Sequence, residues 1–200
     1  MPWHQSFLFA LISFLACVAG AICGIGGGVI IKPALDLFGW TSVSSISFLS
    51  GCTVLAMTCY SVFCSFAAHE KKVNVKTGTP LAIGAASGGI LGKRLFTLIK
   101  NASGNPDAVG GIQSICLALI TVFTLVFILR KSRVQPHPVI SIFSCVLIGF
   151  ALGLISSFIG IGGGELNLIV LYYFFAMDAK TAAANSLYVI LFSQTASLIT

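Results

Sequence analysis

GAICGIGGGVIIKPAL, residues 20–35, places a run of glycines inside a stretch that otherwise reads as one membrane-spanning helix. From Phe7 to Phe38 an unbroken helix would be about 48 Å long, against a hydrocarbon layer of about 30 Å. The chain must tilt steeply, protrude or break. Four glycines in the five residues from Gly24 to Gly28 select the break, because glycine accepts positive φ and has no side chain to obstruct close approach. An opened turn exposes N–H and C=O groups that lipid cannot satisfy, so it survives at depth only when buried in protein or lining a wet cavity. The half-helix starting near Gly28 would then present free amides and the positive end of its dipole, a ready anion site. The plainer reading is a turn that only eases helix crossings.

The rest of the chain supports a membrane setting. Of the 200 residues 57% are hydrophobic and 8% charged, with mean hydropathy +1.03, far from the composition of soluble domains. Long uninterrupted apolar stretches imply helices rather than the short alternating strands of a barrel. The net charge of +6 does not indicate nucleic acid, since Lys71, Lys72 and Lys76, then Arg130, Lys131 and Arg133, fall between spans where they set orientation. No Lys or Arg precedes the first apolar run, which reads as a membrane segment and not a cleaved signal. Seven cysteines without a CxxC pair imply neither a disulfide framework nor a thiol relay, and are expected to be small buried hydrophobes.

Six segments follow: Phe7–Phe38, Val43 to about Ala68, Thr77–Ile99, Val109–Leu129, a glycine-interrupted one from Val139, and one from Ala179 to the end. If each crosses once, both basic loops lie on the cytoplasmic side, and so does the N-terminus; a re-entrant hairpin at the glycines would change that parity. Gly84, Gly88 and Gly92 share one helical face, a spacing that lets membrane helices pack closely.

The glycine unit occurs twice. Gly24, Ile25, Gly26, Gly27 and Gly28 recur 136 residues on as Gly160, Ile161, Gly162, Gly163 and Gly164, and the register holds through Leu35 on Leu171 and Ser50 on Ser186. The expected fold is an all-α polytopic transmembrane bundle with two internal repeats and glycine-broken helices. The first repeat covers residues 1–133; the second, residues 137–200, is partial, and a longer parent chain is expected. Two broken helices meeting near the midplane are a common way of building a carrier site.

The site expected from these motifs comprises Gly24, Gly26, Gly27 and Gly28 with Gly160, Gly162, Gly163 and Gly164, joined by Lys32, Ser50, Asn185 and Ser186. Lys32, one turn past the first cluster, either draws an anion to the opening or snorkels to the interface. Glu165 follows the second cluster; it is a proton acceptor or counter-ion for coupling, or simply an acid that the helix dipole favours. A carboxylate there repels an anion unless it is protonated or paired with Lys32. Ser50, Asn185 and Ser186 supply neutral donors or link helices, with Thr53 and Gln194 as weaker candidates of the same kind. His69 and Glu70 border a basic loop, where solvation accounts for them.

GIGGGVIIKPALDLFG, a serine about 20 residues later, and a second GIGGG followed by NSLYVILFSQ resemble the sulfite exporter TauE/SafE family of membrane proteins. The resemblance implies transport of sulfite, sulfonates or related organic anions across a cell membrane, with no cofactor. One departure is that Pro33 of the first copy corresponds to Ile169, while Glu165 and Asn167 enter the second turn.

The partners expected are therefore a small anionic substrate and the lipid bilayer, without nucleic acid; a homo-oligomer is left open. A secondary carrier is the leading function. An ion channel would need rings of carbonyls or charges around a shared pore. A membrane thiol redox enzyme would need the CxxC that is missing, so no enzymatic activity is expected.

Overall fold

The computed structural model describes residues 3–38, 43–67, 73–102, 106–130, 141–159 and 163–199. Among them are eight helices and no strand: α1 (Trp3–Cys23), α2 (Gly28–Asp36), α3 (Val43–Ala67), α4 (Val75–Ala102), α5 (Pro106–Leu129), α6 (Ile142–Ile159), α7 (Gly164–Phe175) and α8 (Ala179–Ile199). Six of these are long and apolar enough to cross a bilayer, while α2 and α7 are short. Phe7 and Phe14 on α1, and Ile115, Leu119 and Phe123 on α5, are exposed, as lipid-facing side chains must be.

The glycines reverse the chain. Gly27 lies against the Ala16 carbonyl and Gly20 against the Gly26–Gly27 backbone, contacts that a continuing helix would place several turns apart. Ile31 and Leu35 of α2 pack with Ala16, Phe9 and Ile12 of α1 and with Ile46 of α3. Thus α2 runs back along α1, and α1–α2 is a re-entrant hairpin. Positive φ at Gly24 (+73°) and Gly26 (+79°) makes the reversal possible.

The second hairpin enters from the opposite face. Residues Leu81 and Ala85 of α4 meet Gly149 and Gly153 of α6 in the same order along both helices, so α4 and α6 run parallel. Beyond α6 the chain turns at Gly163, φ +73°. Thr121 of α5 then meets Glu165, and Phe127 of α5 meets Tyr172, so α7 runs back alongside α5. Finally α8 runs antiparallel to α3, with Gly51 beside Leu198, and Val54, Val62, Leu187 and Ile190 sharing a core.

These directions bring the ends of α3 and α5 and the starts of α4, α6 and α8 to one face. Lys76, Arg130 and Lys180 stand at these helix ends, and in the sequence the basic runs Lys71–Lys72 and Lys131–Arg133 adjoin the ends of α3, α4 and α5. The positive-inside bias makes this face cytoplasmic. The start of α1 lies on the other face, which corrects the expectation of a cytoplasmic N-terminus: the first segment returns instead of crossing, and the parity changes. On the cytoplasmic face Asp178 precedes α8; its carbonyl accepts the Ala182 N–H at 2.8 Å, and the Thr181 hydroxyl, ahead of backbone donors, holds its carboxyl below the usual range.

The closest helix pair is α4–α6. A methyl group added at Gly84, Gly88, Gly92, Gly149 or Gly153 would fall on a backbone carbonyl of the facing helix. Glycines on both partners let the two backbones touch, the contact through which membrane helices gain dispersion and weak Cα–H···O bonds. At the far end of the bundle Lys93 reaches the Ser197 carbonyl and ties α4 to α8.

An epitope placed ahead of Trp3 should be labelled from outside intact cells, and one inserted at residues 68–72 only after permeabilisation. Gly88→Leu should cost about 1–3 kcal/mol of stability through overpacking, read as a lowered melting temperature in detergent. Gly111→Leu, where nothing lies within 4 Å, should leave the melt nearly unchanged.

Candidate functional site

The two hairpin tips touch. A methyl on Gly164 would sit on the Ile25 carbonyl, and one on Gly24 would sit on Ala183 of α8. Gly26 faces Ile190 of α8 and Val54 of α3, both near the middle of their helices, so the junction lies at mid-depth. Helix α2 begins after Gly27 and α7 after Gly163, and neither N-cap makes a side-chain hydrogen bond. Both half-helices therefore bring side-chain-free amide ends to the junction. Gly160 and Gly162 lie outside the described residues.

Lys32 is 1% exposed, and its ammonium donates to the Ile159 carbonyl at 3.0 Å. Snorkelling is thereby excluded: the charge stays at depth, on the last residue of α6, where the helix dipole is negative. A residue of the first hairpin thus caps a helix of the second. Around this bond Val29 and Ile25 pack with Leu117, Ile120 and Ile159.

Glu165 is 3% exposed, and its carboxylate accepts the Thr121 hydroxyl at 3.0 and 3.2 Å. The acid thus turns toward α5, and Lys32 toward the end of α6. Ser186 donates to the Gly164 carbonyl at 3.4 Å, which joins α8 to the second tip. Asn185 faces elsewhere: its Oδ1 accepts the Asn74 N–H at 2.9 Å and its Nδ2 donates to the Thr181 carbonyl at 2.8 Å, which anchors the start of α4. Ser50 is buried in α3 at the level of Gly51, which faces Gln194 and Leu198 of α8.

A cavity of about 850 Å³ is walled by the end of α1 (Ala21 to Cys23), Ile25, α3 (Ser61 to Ser65), the end of α5, α7 and the start of α8. It opens where α1 stops at Cys23 and turns back, so that α1 does not continue between the ends of α3 and α5. None of the residues expected at the site from sequence lines it, but Ile25 does, between two of the glycines. The cavity thus reaches the junction from the cytoplasmic face, and in this conformation the tips themselves are packed shut.

Several polar residues at the junction escape a reading of the sequence. On α5, Gln113 donates to the Phe158 carbonyl at 2.9 Å and Thr121 to Glu165, while Thr124 is buried. Ser156 of α6 lies under Gly163 and bonds to the Leu152 carbonyl at 2.5 Å. The available signal was spacing: Gln113, Thr121 and Thr124 interrupt one flank of an otherwise apolar helix.

Six helices long and apolar enough to span a bilayer, with α1 and α6 serving as the first arms of two glycine hairpins whose tips meet at mid-depth, have the architecture of a polytopic membrane transporter. The chain belongs to the sulfite exporter TauE/SafE family, whose model matches residues 9–200. It is similar to the probable membrane transporter protein YunE of Bacillus subtilis (strain 168), at 20% identity covering 93% of this chain and 74% of that protein. No solved structure matches it.

Replacing Lys32 by Met should remove the cap on α6 and leave the buried Ile159 carbonyl unsatisfied, at about 1–3 kcal/mol. Thermal unfolding in detergent measures the loss; a melt equal to the parent protein would show that the bond carries no weight.

Proposed function

We propose that this protein is a secondary carrier of small anions, of the class of sulfite, sulfonates or related organic anions, working by alternating access at the junction of the two hairpins. The observation that carries this reading is the tip-to-tip contact of Gly164 with the Ile25 carbonyl, made by hairpins entering from opposite faces. On this reading residues 1–133 and 137–200 are inverted repeats, and the antiparallel crossing of α3 with α8 lies on the axis between them. Such repeats, with half-helix amides directed at a central site, are a recurring design of secondary transporters.

The parts take the following roles. The uncapped amides at Gly27–Gly28 and Gly163–Gly164 receive the anion when the tips separate, with the positive ends of α2 and α7 as the attraction. Lys32 supplies a fixed positive charge at the same depth, and Ser186 and Ser50 supply neutral donors. Glu165 exchanges a proton with the transport cycle. The 850 Å³ cavity is the cytoplasmic vestibule, open in the conformation described.

Counterflow of radiolabelled sulfite in vesicles containing the purified protein tests the proposal. Uptake should saturate and should be accelerated by unlabelled sulfite inside. Gly164→Val and Gly24→Val, which force side chains into backbone at the tips, should reduce it by roughly tenfold or more, since an angstrom of misplacement at a site has that scale of effect. Flux that rises linearly with concentration and carries unitary currents would favour a channel and sink the carrier.

A further inference from the structure

Glu165 is buried at the closed junction and yet belongs, on the reading above, to a proton-exchanging site; the question is how a proton gets there. The seam between α5 and α7 joins it to the cytoplasmic cavity. At the junction end the Thr121 hydroxyl lies within hydrogen-bond reach of the carboxylate and of the Leu117 carbonyl, and its one proton is shared between them. At the cavity end Phe127 and Tyr172 stack edge to face, and both line the cavity. Between them lies Thr124, 4% exposed, with its hydroxyl making no hydrogen bond among the described residues.

A buried hydroxyl left without a partner is costly and asks for an explanation. Thr124 stands one helical turn from Thr121, where Cβ atoms are about 5–6 Å apart, a gap that one water bridges. We propose that Thr124 and Thr121 form the proton route between the cytoplasmic cavity and Glu165. A water hydrogen-bonded to Thr124 passes a proton toward Thr121. The Thr121 hydroxyl hands its own proton to the carboxylate and takes one from that water, which in turn receives an excess proton from hydronium in the cavity, so that neutral Glu165, neutral water and an unchanged threonine result; release reverses the steps.

Charged and titratable groups stand on each surrounding element, Cys23, Cys64 and Tyr173 among them. Lys32 on α2 bonds to the end of α6, Arg130 lies past the cavity end of α5, and Lys180 stands at the cavity wall on α8. Tyr172 on α7 lies at the cavity end, and Cys116 on α5 and Cys145 on α6 are thiols of the same bundle. None of them separates Thr121 from Glu165, whose contact is direct.

The inference rests on Glu165 being the coupling group, and its test is separable from the transport reading. The full chain in vesicles is given a rapid acid step, and the carbonyl stretch of a protonated buried carboxyl is followed by time-resolved infrared difference spectroscopy. The band should form in the parent protein and vanish in Glu165→Gln. Thr124→Val, which keeps the shape and removes the hydroxyl, should keep the amplitude and slow its appearance roughly a hundredfold or more, the scale of a lost proton-transfer group. Thr124→Ser should restore the rate. A Thr124→Val rate equal to the parent's, or a band that persists in Glu165→Gln, overturns the route. Sulfite counterflow in the same vesicles is read alongside: its absence in the parent protein would defeat the carrier proposal and leave the infrared result to stand on its own.

Discussion

The molecule is organised around open backbone at mid-depth in a bilayer, which only other backbone and close-packed side chains can cover. Gly164 against the Ile25 carbonyl is where that constraint is met. Any side chain at Gly164 would separate the tips, and any side chain at Gly24 would push them off α8. The rest of the fold brings the two turns to this point. Helices α3 and α8 cross behind them, α4 holds α6 through a seam of glycines, and α5 covers the second hairpin.

The charges obey the same constraint. Lys32 and Glu165 lie at a depth where an uncompensated ion costs several kcal/mol, and each is given hydrogen-bonding partners. Lys32 takes the carbonyl end of α6, and Glu165 takes a hydroxyl of α5. Because these bonds lead to different helices, the two opposite charges flank the junction without joining directly through them. On the proposed function, an anion arriving between the half-helices would meet amides and an ammonium on one side and, on the other, an acid whose charge depends on its proton.

Much of this was legible in the residues. The glycine breaks, the six apolar segments and the spacing of Gly84, Gly88 and Gly92 all follow from short-range pattern. What pattern could not supply was direction. Glycine permits a turn without specifying where the chain goes next, so the reversal of α2 along α1 emerges only from contacts such as Ile31 with Ala16, and with it the placing of the N-terminus on the face opposite the basic loops. Partners distant in sequence were equally hidden. Nothing near Lys32 names Ile159, and nothing near Glu165 names Thr121. Asn185 shows the converse, since its place after the second hairpin says nothing of Asn74, which it holds.

The bond from Lys32 to Ile159 spans 127 positions of the chain, and this has a bearing on biogenesis. A ribosome adding 5–20 residues per second needs on the order of ten seconds to cover that interval. Throughout it, the carbonyl that will receive the ammonium has not been synthesised. The opening loop therefore cannot settle into its final seat as it leaves the translocon; it completes its docking after α6 arrives, and insertion of the early helices precedes maturation of the centre they enclose.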